Sequence, residues 1–161
     1  MSKASGINIG SNELAFATVM QPNQANQFGN IHGGEIMKLM DNVAGALAHR
    51  YAKSNVVTAR VEEIQFLNPI MVGAYVFCKG KIAYVGNTSM EIFITVDVVQ
   101  DLSDFEDSER ALEAFFTMVS LDVTGRPHKV PAYEPATDEE KELYKIAERR
   151  RENARKARHR R

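Results

Sequence analysis

A single amphipathic helical stretch stands among segments that alternate like strands, and that isolation limits what this chain can build. Residues 35–51, EIMKLMDNVAGALAHRY, repeat at helical spacing: Ile36, Met40, Val43 and Leu47 form one stripe, with Leu39 beside it. Ala44, Gly45, Ala46 and Ala48 leave one side slim, so another element must pack very close to the helix. The segment ELAFATVMQ (13–21) precedes it as a short strand. VVTARVEEIQFLNPI (56–70), AYVFCKGKIAYV (74–85), TSMEIFITVDVVQ (88–100) and ALEAFFTMVSLDV (111–123) follow it. In the third of these, Met90, Ile92, Ile94, Val96 and Val98 share one face. Asn68–Pro69, Gly86–Asn87 and the acidic DLSDFEDSE (101–109) punctuate the strands as turns or a loop. Four strands at hairpin-like spacing after one helix predict an α+β domain, with one antiparallel sheet whose apolar face the helix covers. The other face is expected to carry a terminal helix or a second subunit. TGRPHKVPAYEP (124–135) is an irregular connection, and Thr137 with Glu140 three positions on makes a capping box that opens a second helix.

With 161 residues, the chain fits one domain that buries roughly two-thirds of its unfolded surface. We read residues 1–12 as a flexible N-terminus, 13–131 as the domain and 132–161 as a basic helical extension. No run of 18 apolar residues spans a membrane, and MSKASGINIGSNELAF has no apolar stretch long enough for a signal peptide. Cys78 is the lone cysteine, which rules out an internal disulfide and fits a reducing compartment, so the cytoplasm is expected. Scattered histidines and that one thiol give no metal spacing, so no metal site is expected. Charge is uneven: residues 1–135 hold 10 basic and 15 acidic residues, against 10 and 6 in 136–161. The ending ERRRENARKARHRR reads in three ways: a solvated helix end, a nucleic-acid or anionic-surface contact, or a holder of a polyanion such as a nucleotide.

The stretch NQFGNIHGGEIMKLMD (26–41) is the chemically suggestive one. Asp41 has Met37, Lys38, Ala44 and Gly45 as its helical neighbours, beside the slim side. It is either an acid on a solvated face, paired with Lys38, or an acid held in a cleft between elements. Gly33–Gly34 stand just before the helix. There the free N–H groups of a helix start favour negative charge, and missing side chains let a ligand approach the backbone. The plain alternative is a turn followed by a helix.

The pattern N-x-x-G-N-x-x-G-G with an aspartate after a further six residues resembles that of the hotdog-fold acyl-CoA thioesterases. Asn26, Gly29, Asn30, Gly33, Gly34 and Asp41 supply it. The resemblance continues through VVTARVEEIQFLNPIMVG (56–73), VGNTSMEIFITV (85–96) and FTMVSLDVTGRPHKVP (116–131). It implies a hotdog fold: a curved antiparallel sheet wrapped around a long central helix, here with a C-terminal helix added. It also implies a homo-oligomer, a dimer at least and a trimer of dimers by the habit of this branch, with active sites at the interface.

The activity it implies is hydrolysis of acyl-CoA to a carboxylic acid and CoA, with no cofactor beyond the CoA of substrate and product. Asp41 matches the catalytic carboxylate, as general base or nucleophile. Ser89 and Ser120 show no Ser–His–Asp arrangement, which favours the base. Asn26 matches the second catalytic residue, orienting water or thioester from the other subunit, and the Gly34 N–H would stabilise the oxyanion. Gly33 would give clearance. His32 is read as a hydrogen-bonding or shape contributor, or alternatively a proton donor. Thr58 either bonds near Asp41 across the interface or is a plain strand former. Gly86, Asn87, Thr88 and Ser89 are expected along the pantetheine arm. Arg60, Lys81, Arg126 and Lys129 are candidate phosphate contacts. Tyr84 is a candidate to stack on adenine or a core aromatic, and Met37, Met40 and Phe28 either line an acyl tunnel or pack the core. A hotdog dehydratase, an acyl-CoA sensor without hydrolysis and a nucleic-acid binder are the rival readings. Neither a membrane nor a nucleic acid is an expected partner.

Overall fold

A computed structural model describes residues 12–159. The expected flexible N-terminus, residues 1–12, lies outside them except for Asn12. In chain order the elements are β1 (Glu13–Val19), α1 (Gly33–Ala52), β2 (Asn55–Phe66), β3 (Tyr75–Val85), β4 (Ser89–Val99), β5 (Glu109–Leu121) and α2 (Asp138–Arg158). The five strands form one antiparallel sheet in the order β1-β3-β4-β5-β2, which leaves β1 and β2 as its edges. The expected acidic loop contains a short 3₁₀ helix, Leu102–Asp107, opened by Asp101, whose carboxylate accepts from the Ser103 N–H at 2.9 Å.

Alternation along the strands decides which face meets α1. Met90, Ile92, Ile94, Val96 and Val98 of β4 point inward, as do Leu112, Ala114, Phe116 and Met118 of β5. They close on Ile36, Met40, Val43 and Leu47, which are buried almost completely. Burial of each such large side chain is worth about 1.5–3 kcal/mol. Of the slim residues expected to meet a close neighbour, Ala44 and Ala48 are fully buried where the sheet closes, whereas Gly45 is half-buried and Ala46 exposed, because they turn away from the stripe. Strand β3 comes close to the helix at Gly80. A Cβ there would stand 3.0 Å from Ile94 Cδ1 and 3.3 Å from Val43 Cγ1. Gly80→Val is therefore expected to destabilise the fold by about 1–3 kcal/mol through overpacking, measured by chemical denaturation.

On the outer face lies α2. Its capping box is present as expected: Thr137 Oγ1 accepts from the Glu140 N–H at 3.1 Å, and the Glu140 carboxylate accepts from the Thr137 N–H at 3.1 Å. Ala147 is buried against Ala83 and Phe115, and Tyr144 packs on Tyr84 with ring centroids 4.8 Å apart. Arg150 stands 4.2 Å over the Phe115 ring and pairs with Glu62 and Glu63. The basic extension is thus a regular helix from Asp138 through Arg158, docked between Leu143 and Arg151 by small and flat contacts.

The edge strand β2 carries two irregularities, between Thr58 and Arg60 and between Glu62 and Gln65, with Glu63 at φ 56°. The first is a bulge at Ala59: Thr58 pairs with Met118 and Arg60 with Thr117. Residues two apart in a regular strand share a face, and the extra residue breaks that rule. Thr58 therefore faces the α1 side and Arg60 the α2 side.

Candidate active site

The segment entering α1 is shaped by its own backbone. Asn26 Oδ1 accepts from the N–H groups of Phe28 at 2.9 Å and Asn30 at 3.2 Å, while the Asn26 N–H donates to the Asn30 carbonyl at 2.7 Å. Gly29 sits between them at φ 82°, a conformation that favours glycine. The carboxamide oxygen of Asn26 thus folds the loop, and its NH₂ is the end left for other chemistry. The Ile31 N–H then donates to Ile70 O at 2.8 Å and the His32 N–H to Gln24 O at 2.9 Å, which aims the helix start.

His32 is the N-cap of α1, exposed, with no side-chain cap bond. Gly33 and Gly34 are the first two helical residues, whose N–H groups an α-helix leaves free. The clearance expected at Gly33 is filled from within the chain: a Cβ there would meet the Phe66 ring at 3.0 Å. At Gly34 the same construction meets nothing within 4 Å, so the open approach is at Gly34.

Two turns further along, Asp41 lies on the exposed side of α1. Thr58 Oγ1 donates to Asp41 Oδ1 at 2.5 Å and also contacts Met118 Sδ at 3.5 Å. The expectation of a bond across a subunit interface is corrected: Thr58 and Asp41 meet within one chain, because the bulge turns Thr58 toward the helix. No ion pair joins Lys38 to Asp41 among the described residues. Nor does a hydrogen bond join Asn26 to Asp41 within the chain. Met40 is fully buried in the core, whereas Met37 is 38% and Phe28 78% exposed. Of the expected tunnel residues, only these two present surface.

The expected CoA-binding residues divide differently. Arg60, Thr88 and Ser89 line a cleft of about 660 Å³ between the outer sheet face and α2. The turn that carries Gly86 and Asn87 is pinned beside it, with the Gly86 N–H donating to Ser89 O and the Val130 N–H to Asn87 O. Arg126 and Lys129 are exposed on the connection after β5, where Pro127 is the cleft's lining residue. Lys81 is engaged elsewhere, by Glu13 and Glu139. Tyr84 is covered by Tyr144 and by Arg151, whose guanidinium carbon stands 4.9 Å from the ring centroid.

Sequence reasoning missed Glu91 and Arg151. Glu91 is 5% exposed, accepts from Thr117 Oγ1 at 2.9 and 3.0 Å, and lies 3.5 Å from Arg151 Nη1. Its apolar-looking neighbourhood in TSMEIFITV hid it, although an acid in the outward register of a strand under a basic helix was the available signal. Burial pushes its carboxyl above the ordinary 4.5, against the pull of Thr117 and Arg151. The folded protein therefore binds this proton more tightly than the unfolded chain, and stability from this group falls as pH rises from 4.5 through the raised value. Glu91→Gln, which mimics the protonated form, is expected to gain in melting temperature relative to wild type across that window and not below it.

The arrangement defines a class: a hotdog domain with a carboxylate on its central helix, steadied by a hydroxyl from the edge strand. The thioesterase superfamily model matches residues 28–102. The chain is 41% identical over 123 residues to the cytosolic acyl coenzyme A thioester hydrolase of Mus musculus, covering 76% of this chain and 32% of that one. It thus spans about a third of the length of that relative. Against the acyl-CoA thioester hydrolase YciA of Escherichia coli K12 it is 36% identical over 125 residues, 77% of this chain and 95% of that one. Among solved structures, an apo-hexameric acyl-CoA thioesterase superposes with TM-score 0.84 at 34% identity, covering 90% and 92% of the two chains. The acyl-CoA hydrolase of Staphylococcus aureus, solved with butyryl coenzyme A, coenzyme A and coenzyme A disulfide, gives 0.83 at 31%, covering 91% and 88%. Single alanine variants of that enzyme at an asparagine, an aspartate and a threonine have also been solved. This chain belongs to the hotdog-fold acyl-CoA thioesterase family.

Proposed function

We propose that this protein hydrolyses acyl-CoA to a free carboxylic acid and CoA, with Asp41 as general base. The observation that carries the reading is the 2.5 Å bond from Thr58 to Asp41 beside the open helix start. With Oδ1 engaged, the other carboxylate oxygen is presented to water. Asp41 takes a proton from the water as its oxygen attacks the thioester carbon, and the carbonyl oxygen becomes an oxyanion. The Gly34 N–H, at the positive end of α1, receives that charge. The C–S bond then breaks, and the proton on Asp41 passes to the leaving sulfur, giving the CoA thiol. The Asn26 NH₂ orients water or thioester, supplied by a second copy of the chain. Supporting this set, Asn26, Asp41 and Thr58 are spaced at the same two intervals as the three positions replaced in the Staphylococcus aureus variants. No cofactor enters the reaction, since CoA is part of substrate and product.

The same reading requires a homo-oligomer, a dimer at least and a trimer of dimers by analogy with the hexameric relatives. β2 is a 12-residue open edge, and Val57, Phe66 and Leu67 on or beside it are each close to half exposed. A long apolar edge is a template for pairing, and a second copy would cover it. We place the protein in the cytoplasm, as the mouse relative's name describes that protein.

The test is thiol release from a panel of acyl-CoAs of increasing chain length, with product acid quantified in parallel. Equal thiol and acid support hydrolysis. Binding without thiol would mark a sensor, and loss of water from a hydroxyacyl-CoA with the thioester intact would mark a dehydratase. Thr58→Val, which keeps shape and removes the donor, is expected to lower kcat about tenfold, the scale of a hydrogen bond to a charged group. Thr58→Ser should recover most of it.

A further inference from the structure

Glu62 and Glu63 are successive residues of β2, yet both reach the same guanidinium. Arg150 of α2 stands 3.2 Å from Glu62 Oε2 through Nη2 and 2.5 Å from Glu63 Oε2 through Nη1. Neighbouring side chains of a regular strand point to opposite faces, so one cation on one face should meet only one of them. The second irregularity of β2 resolves this. Glu62 pairs with Phe115 and Gln65 with Glu113, so three steps along β2 match two along β5. Glu63 marks the bulge: its φ of 56° lies in the left-handed region, which residues other than glycine seldom adopt. The consequence is a change of face. Val61 and Ile64 both pack against the core around α1, although three residues apart they would face opposite ways in a regular strand.

Arg150 is held where it can clamp this bulge. Its side chain is 17% exposed, and its guanidinium lies 4.2 Å over the ring of Phe115, the residue paired with Glu62. Ala147, one turn back on α2, is buried against the same ring. The other oxygen of Glu62 lies 3.0 Å from Arg60 Nε, in an ion pair too misaligned for a hydrogen bond, so Arg150 is the aligned donor to this carboxylate. What the bulge serves lies further along β2. It turns Phe66 inward, opposite the buried Leu112, and a Cβ at Gly33 would stand 3.0 Å from the Phe66 ring. A regular strand would turn Phe66 outward, and the first residue of α1 would lose that cover. Gly34, the proposed oxyanion donor, is the next residue. We propose that Arg150 is a positioning residue for the hydrolysis: by holding Glu62 and Glu63 side by side, it locks the register that seats Phe66 on the start of α1 and so fixes the direction of the Gly34 N–H. The proposal rests on the thioesterase reading. It makes the C-terminal helix a brace for the active site across the sheet.

The experiment measures kcat and KM by thiol release from an acyl-CoA, with circular dichroism and sedimentation velocity as checks of fold and assembly. Arg150→Ala is expected to lower kcat about tenfold or more, the scale of a small misplacement at a reacting centre, with KM changed by less than about twofold. Arg150→Ala/Glu63→Gly should recover most of the loss, because glycine holds φ 56° without a clamp. In a Phe66→Ala background, itself expected to be slow, Arg150→Ala should cost nothing further, since residues acting through one contact are not additive. Should Arg150→Ala fail to fold, Glu62→Gln/Glu63→Gln releases the clamp from the strand side and is expected to show the same fall in kcat. Unchanged kcat would overturn the proposal. So would a rise in KM alone, no recovery with Glu63→Gly, or a full further loss in the Phe66→Ala background. Loss of assembly would overturn it too, by placing the role of Arg150 at the subunit edge. Hydrogen exchange adds a readout independent of activity: in Arg150→Ala, residues 60–66 and 30–36 should both exchange faster than in wild type. If wild type releases no thiol, the thioesterase reading fails. Exchange alone then decides, and a helix start unchanged in Arg150→Ala would refute the link.

Discussion

Asp41→Asn is expected to lower acyl-CoA turnover by roughly 10²-fold or more, the scale of losing a general base. The substitution preserves nearly everything else. Asparagine keeps an oxygen where Thr58 Oγ1 donates at 2.5 Å, and it adds no bulk to α1. Since Asp41 is exposed in the subunit, removal of its charge relieves no burial, so the melting temperature should change little. Substrate affinity should also hold, because the CoA moiety is bound elsewhere in this account. The informative comparison is therefore kcat against KM for the variant, with a thiol-release assay: a fall confined to kcat fits a base. A rise confined to KM would return Asp41 to an ordinary polar residue on a helix.

The second large effect is expected at Asn26, where structure and chemistry can be separated. Its Oδ1 holds the N–H groups of Phe28 and Asn30, so Asn26→Ala removes a loop-forming acceptor together with the NH₂. A fall in activity there would not say which loss mattered. Asn26→Asp keeps the acceptor and replaces the NH₂ donor with an oxygen, adding a negative charge at neutral pH, so the neutral Asn26→Ser is measured beside it. We expect Asn26→Asp to retain the wild-type melting temperature and still lose activity by about 10²-fold, as removal of a preorganised donor does in other active sites. Full activity in Asn26→Asp would assign the residue to loop geometry alone.

Much of the framework was readable because it rests on local patterns. The stripe Ile36, Met40, Val43 and Leu47 is what the sheet encloses, and Ala44 and Ala48 lie where it closes. The Thr137–Glu140 capping box starts α2 as expected. Of the two readings of Thr58, a plain strand former or a partner near Asp41 across an interface, neither placed the bond within one chain, where it lies. Strand period places Thr58 and Arg60 on one face, and only the bulge at Ala59, which no residue type there announces, separates them. The glycine pair gave a helix start but not the division of labour. That depends on Phe66, distant in sequence, covering Gly33. The arginine-rich ending was the least legible segment. Its docking uses one buried alanine, an aromatic pair and guanidinium groups lying on rings, none of which produces an apolar stripe.

The proposed active site combines Asp41 and Thr58 of one subunit with Asn26 of its neighbour, and subunit mixing distinguishes it from a site within one chain. Asn26→Ala and Asp41→Asn proteins, each nearly inactive alone, are co-expressed with different tags, and the mixed oligomers are purified through both. In a two-fold pair one site then carries both substitutions and the other carries neither. Thiol release by such mixed pairs should return to about half the wild-type rate per subunit. Mixed oligomers as inactive as both parents would contradict the shared site.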